Sequence, residues 1–338
     1  MNAQEQLRSN ALEWLLEPED PGVRYLAIRD LLDNTDNDHE LLEARHKAHT
    51  QGPIALVLDK MQSQGYWEKA GPGYFVKYRS SVWALILLAQ LGAVVAEDER
   101  ITRACNYLME HALSPAGQFG VYGTPSSTID CLQGNLCWAL LEMGYNGPRL
   151  DKAFEWMART VTGEGIAPKE DKEAERRYFA YNCGPNFACG ANGTQACAWG
   201  ATKVMMALGK IPETHRSPLI KGAIEQGVNF FLSNDPAKAD WPTRLGNKPS
   251  RNWWKFGFPV FYVTDLLQVV EALTALGYGN DPRLENTLEL IREKQDENGR
   301  WPLEYDYTGK TWGNYGVKKQ ANKWVTLRAM RVLMRVGR

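Results

Sequence analysis

Roughly every 60 residues this chain ends an apolar helical stretch on the same kind of residue: Asn34, Gly92, Gly144, Gly209, Gly277 and Gly337. Asn and Gly enter the left-handed conformation just past a helix end at the least steric cost, so each marks a helix stop. The stretches they close run 25–33, 80–91, 131–143, 194–208, 264–276 and 324–336. They are apolar around much of their circumference, which predicts burial. More polar helical patterns lie between them, at 3–16, 40–62, 98–112, 149–160, 215–233 and 283–296. Two of the polar helices follow nearly the same opening, Gly144-Tyr145-Asn146-Gly147-Pro148-Arg149-Leu150 and Gly277-Tyr278-Gly279-Asn280-Asp281-Pro282-Arg283-Leu284. One polar and one apolar helix therefore make a unit that occurs six times. Such units stack as an open spiral or close into a double ring with the apolar helices inside.

At 338 residues the chain suits one large domain or two modest ones, and 44% hydrophobic against 23% charged residues excludes disorder as its main state. Lys and Arg number 39 and Asp and Glu 40, which leaves no basic footprint for a nucleic acid. The segment Met1–Gln6 lacks a basic start followed by an apolar run, and the longest apolar run, 82–89, is far shorter than the ~20 residues of a membrane span. The expectation is a cytoplasmic protein with no transmembrane segment. Six cysteines in such a protein do not read as a disulfide scaffold.

Several polar helices run into a glycine and then an aromatic: Gly65-Tyr66-Trp67, Gly117-Gln118-Phe119 and Gly299-Arg300-Trp301. The last is preceded by Gln295, giving Gln295-x3-Gly299-x-Trp301. That spacing resembles the QW repeat of squalene–hopene and oxidosqualene cyclases, in which Gln and Trp tie neighbouring outer helices together. Placed in phase with six helix pairs, it makes the whole chain, 1–338, look like a single all-α domain. The resemblance implies an (α/α)6 toroid of the terpenoid cyclase and protein prenyltransferase superfamily.

Counting back from the stops puts Cys131 and Cys197 at about one height on consecutive apolar helices. The turn-rich segment 181–193 adds Cys183 and Cys189. Four sulfurs at one mouth suit tetrahedral zinc or, less readily, an iron–sulfur cluster; a disulfide among them and simple packing stay open. Cys105 and Cys137 read as core filler. Protein prenyltransferases hold catalytic zinc with an Asp-x-Cys pair and a distant His. Asp130-Cys131 is similar, but the spacer is missing and no His lies on an apolar helix.

Asp265, at an apolar-helix start, is a second candidate acid beside Asp130. The aromatics Tyr78, Trp83, Trp254, Phe258, Tyr262, Trp312 and Trp324 gather at linkers and apolar-helix starts. In cyclases of the superfamily such rings line the cavity and stabilise carbocations. Lys77, Arg79, Arg251, Lys255, Lys318, Lys319 and Lys323 stand near the same ends and suit an anionic head group. The Asp-x-Asp-Asp and Asp-Asp-x-x-Asp runs of the two terpene-synthase classes are absent, as are phosphate-binding and dinucleotide-binding glycine motifs. The resemblance implies an enzyme acting on a large apolar substrate, isoprenoid or polycyclic, in an aromatic-lined cavity beside a Cys-bound zinc. The alternative is a non-catalytic binding protein for an apolar ligand, with a structural metal or none.

Overall fold

Pro at the first helical position and Asp, Ser or Asn just before it start most of the helices. Pro21, Pro53, Pro148 and Pro218 open four of them. The side chains of Asp38, Asp98, Ser217, Asp265 and Asn322 each accept a backbone N–H of the first turn. In the computed structural model, which describes residues 3–32, 38–168, 170–174, 183–244, 246 and 248–336, thirteen α-helices result. They are α1 (Ala3–Leu15), α2 (Pro21–Leu31), α3 (His39–Gln51), α4 (Pro53–Leu58), α5 (Ser81–Gln90), α6 (Glu99–His111) and α7 (Asp130–Glu142). They continue with α8 (Pro148–Thr162), α9 (Ala198–Gly209), α10 (Pro218–Leu232), α11 (Leu266–Ala275), α12 (Glu285–Glu293) and α13 (Lys323–Arg335). Among the described residues there are isolated β-bridges and no strand, so the fold is all-α. No helix there is long and apolar enough to cross a membrane.

The polar/apolar alternation is realised. Helices α5, α7, α9 and α11 are buried along nearly their whole length, while α6, α8 and α12 bury one stripe. The polar pattern at 40–62 divides into α3 and α4, because Pro53 has no N–H to continue the helix and Gly52 is extended. The fourth apolar helix starts at Ala198 rather than Thr194, whose φ of 66° is not helical. Gly92, Gly144 and Gly277 take φ of 86°, 81° and 92°, as the stop signal demands. Gly209 does not, although α9 ends on it. Its lack of a side chain instead lets Ala275 and Leu276 approach, the former within 3.3 Å of where a Cβ would stand. Asn34 and Gly337 lie outside the described residues.

The apolar helices neighbour one another in chain order. Helix α5 packs on α7, α7 on α9, α9 on α11, α11 on α13, and α13 on α2. Gly92, just past α5, lies against Tyr25 and Leu26 of α2. The closest crossing joins α7 to α9, where a Cβ on Gly134 would stand 2.3 Å from the Lys203 backbone.

The glycine–aromatic turns repeat one geometry. Trp67 and Trp301 each donate their indole N–H to a carbonyl ten residues back, Val57 and Ile291, at 2.8 and 2.7 Å. The backbone N–H groups of Trp67, Phe119 and Trp301 donate to Ser81, Gln133 and Thr326 on the apolar helix that follows. The glycine two residues earlier, with positive φ, presses on the next polar helix: Gly65 on Arg103, Gly117 on Lys152, and Gly299 on Leu7 of α1. The last polar helix is thus tied to the first. The tryptophan of the cyclase-like motif does the binding here, whereas the glutamine that crosslinks is Gln133, which donates to Gly117 and Ala153 carbonyls.

Candidate functional site

The amino-terminal ends of α5, α7 and α9 and the loops before α9 and α11 build one neighbourhood. On its α5 side the rings pack on each other. Tyr78 lies 4.4 Å from Tyr307, 5.2 Å from Trp83 and from Phe261, and 6.2 Å from Tyr262, measured between ring centres. Trp83 donates its indole N–H to the Tyr74 carbonyl at 2.7 Å. The gap bounded by Tyr74, Trp83, Ile86, Cys131, Leu132, Asn135 and Tyr262 is a narrow one that does not admit a water molecule. The ammonium of Lys77 stands 4.8 Å from the centre of Tyr262 and 5.2 Å from that of Tyr74, closing the group from outside.

The other sequence-selected aromatics lie elsewhere. Phe258 and Trp324 stack at 4.5 Å beside Tyr315. Trp254 donates to the Ala237 carbonyl. Trp312 donates to the Arg79 carbonyl and carries the Arg79 guanidinium on its face. Of the basic residues, Arg79 also pairs with Glu68, Lys318 with Asp306, and Lys323 with Glu17, so these three are engaged individually.

Asp130 opens α7 and is only 5% exposed, and its Oδ2 has no hydrogen-bond partner among the described residues. Burial pushes this carboxyl well above the ordinary range, and the neighbouring Cys189 sulfur adds to the effect. Gly200 of α9 makes room for it, since a Cβ there would stand 3.0 Å from that of Asp130.

The four sequence-selected sulfurs are gathered around this acid. Cys131 and Cys183 keep their thiols protonated through burial, Cys131 pushed up to about 12, and both feel Asp130 and Cys189. Cys197, just before α9, is hydrogen-bonded to Cys189. That bond, with the backbone N–H groups of Asn192 and Ala191, lowers Cys189 to about 6, and it raises Cys197. Yet among the described residues no three His, Cys, Asp or Glu side chains stand where one metal ion would join them. The arrangement is a thiol pair with two further cysteines beside it, of which Cys183 is buried. Cys105 and Cys137 are fully buried core residues, as expected.

Asp265 has a different fate. Both its oxygens are taken by Arg328, at 2.9 Å each, and it also accepts from the backbone N–H of Gln268 and Gly257. A carboxylate so fully engaged anchors α13 to α11 and has no oxygen free to deliver a proton.

One residue escaped the sequence reading. Lys203, fully buried in α9, donates to Gln268 Oε1, and burial brings its amine down to about 7, opposed by Asp265. Its signal was present: it is the one charged residue between Ala198 and Gly209.

No protein-family model and no curated protein matches the sequence. Solved structures resemble it weakly. The type II terpene cyclase MstE from Scytonema is 14% identical, with 86% of this chain and 97% of that one covered at a TM-score of 0.32. A protein from Actinoplanes is 12% identical, with 88% and 99% covered at a TM-score of 0.34. A wild-type glycosidase is 10% identical, with 89% and 99% covered at a TM-score of 0.35.

Proposed function

We propose that the chain is an (α/α)6 toroid enzyme that works at the amino-terminal mouth of its inner helices on a large apolar substrate of isoprenoid or polycyclic type, with Asp130 as the proton donor. Closure is supported by Gly299 lying on Leu7 and by α13 packing on α2, since each contact joins the end of the repeat series to its beginning. The observation that carries the function is the buried Oδ2 of Asp130, which has no partner among the described residues. A carboxyl that burial pushes toward its protonated form has a proton to give, as a general acid, to a substrate that enters the same dry space. Cys131, the next residue in the chain, borders the Tyr74, Trp83 and Tyr262 group, whose ring faces suit the positive charge that alkene protonation creates. A substrate has to part these rings, since the gap between them is closed to water.

Incubation with a panel of polyprenyl and polycyclic compounds, followed by mass spectrometry of the products, tests the reading. Asp130→Asn is expected to lower turnover by ~10²-fold or more while leaving ligand-induced thermal stabilisation intact. Turnover that survives this change, or no stabilisation by any apolar compound, overturns the reading. Stabilisation without turnover in the native protein identifies an apolar-ligand carrier instead. Metal analysis of the same preparation decides whether the sulfurs hold zinc. Closure has its own test: Gly299→Ala is expected to speed amide exchange in α1, and unchanged protection there would refute it.

A further inference from the structure

Helix carboxyl ends expose carbonyls that lack partners along the chain, and cations settle beside them. Arg29 stands in the last turn of α2 and Arg335 in that of α13. Arg328 and Arg331 precede Arg335 on α13, and Lys210 follows α9. These five cations line one cavity of about 130 Å³, to which α2, α5, α7, α9, α11 and α13 all contribute residues or the position just beyond their end. Trp138 and Phe258 give it an apolar side. Lys210 and Arg335 are exposed, so the cavity is reached from solvent past them.

Donors outnumber acceptors around this space. Among the described residues three carboxylates line it, Asp30, Glu142 and Glu271. Asp30 is shared between Arg29 and Arg331, and Glu142 between Arg29 and Lys210. Glu271 is engaged by Arg328, whose second partner is the buried Asp265. Even with Asp265 included, five cations meet four carboxylates. A guanidinium carries five N–H donors and no acceptor. Arg331 reaches Asp30 through Nη2, and its buried Nε has no partner among the described residues. A buried donor without an acceptor costs stability unless something from solution accepts from it.

We propose that the cavity at the carboxyl ends of the inner helices is a binding site for a small oxyanion of the phosphate or carboxylate class, held by Arg331 and Arg29 with Arg335 and Lys210 at the rim. Such a group brings several acceptor oxygens on a compact centre, which is what planar guanidinium forks match. It meets the spare donors and offsets the surplus positive charge together. Water can accept from Arg331 Nε but leaves the charge surplus as it is, and chloride carries charge without acceptor oxygens to fit the forks. The helix ends add partial negative charge of their own, which holds the affinity to a moderate value. The space admits a phosphate or a short dicarboxylate and no long chain. It lies at the opposite ends of the inner helices from Asp130, so the inference is independent of any role for that residue.

The test is isothermal titration calorimetry of the full chain with inorganic phosphate, with succinate and, at matched ionic strength, with chloride. The expected result is saturable binding of one oxyanion per chain with a Kd below ~1 mM in dilute salt, and no saturable binding of chloride. Whichever of phosphate and succinate binds more tightly names the class. Arg331→Met is expected to weaken that binding about tenfold, and Arg335→Met, at the exposed rim, about threefold. Asp30→Asn has the opposite sign. It removes a competing carboxylate, frees donors of Arg29 and Arg331, and is expected to tighten binding about threefold, a gain that damage to the fold would not produce. Failure of both oxyanions to bind, an equal response to chloride, or an affinity that neither Arg331→Met nor Asp30→Asn alters overturns the inference, and the cavity then holds water alone.

Discussion

The two ends of the inner helices treat charge in opposite ways. At the carboxyl ends almost every charged group is paired. Arg29 of α2 reaches Asp30 at 2.6 Å and, across to α7, Glu142 at 3.0 Å. Lys210 also holds Glu142, Arg331 holds Asp30, and further in Arg328 joins Asp265 and Glu271 at 2.9 and 2.8 Å. At Asp30 and Glu142 burial pushes the carboxyls up, and the adjacent Arg and Lys more than reverse this, so both stay below the ordinary range. Around Asp130 at the amino-terminal mouth no such partner stands among the described residues, although Asp265, at the start of α11, is paired. Burial dominates there, pushing up Asp130, Cys131 and Cys183, with Lys203 opposing it only in part at Cys131. Paired charges tie helices together and are chemically quiet. Unpaired, desolvated groups hold protons that a reaction can use.

The sharpest way to break this contrast is to remove a partner at the paired end. Arg328→Ala strands Asp265 and Glu271 in the interior, and denaturant unfolding is expected to show a loss of about 3–5 kcal/mol. Lys203→Met probes the one buried amine lying between the two regions. The unfolded chain binds a proton at this residue up to a pH near 10.4, while the folded amine releases it at about 7. Native stability therefore gains with rising pH across that window. The native protein is expected to improve relative to the variant by roughly 2–4 kcal/mol between pH 7 and 10.5, read from unfolding curves at each pH.

Titration in acid separates the ends more finely. Because Asp30 and Glu142 are depressed in the folded state, their contribution is complete above the unfolded carboxyl pKa of about 4 and fades as pH falls through their folded values. Asp130 has the opposite sign: the folded state gains protons there, so the group costs stability as pH rises from about 4 through its folded value. Asp130→Asn is accordingly expected to match the native protein within about 1 kcal/mol at pH 4, and to exceed it increasingly at pH 7 and above, by thermal unfolding. A loss of stability at pH 7 would place Asp130 among the paired, structural charges.

Much of the fold was legible because its signals are local. Gly92, Gly144 and Gly277 stop helices where the sequence said they would, and the glycine–aromatic turns at 67, 119 and 301 share one hydrogen-bonding pattern. Gly209 ends α9 without the left-handed φ of the others, and its missing side chain serves close packing on Ala275 and Leu276, which only the tertiary structure shows. In the site, the gathering of Cys131, Cys183, Cys189 and Cys197 near Asp130 was readable from helix phase. Their pairing was not. Tyr78, Trp83 and Tyr262 meet as expected, whereas Phe258 with Trp324, and Trp254 and Trp312 separately, pack elsewhere, because an aromatic at a helix start says nothing about which neighbour it will face.

By itself the sequence determined the alternation of helices and the stops at Gly92, Gly144 and Gly277, since helix hydrogen bonds and caps reach only a few residues along the chain. The tertiary structure alone decided which polar groups found partners. Asp265 meets Arg328 63 residues away and Lys203 meets Gln268 65 residues away, while Asp130 meets no donor at its Oδ2 among the described residues. Those outcomes depend on how each helix is rotated about its axis, and a slip of one residue turns a side chain by about 100°.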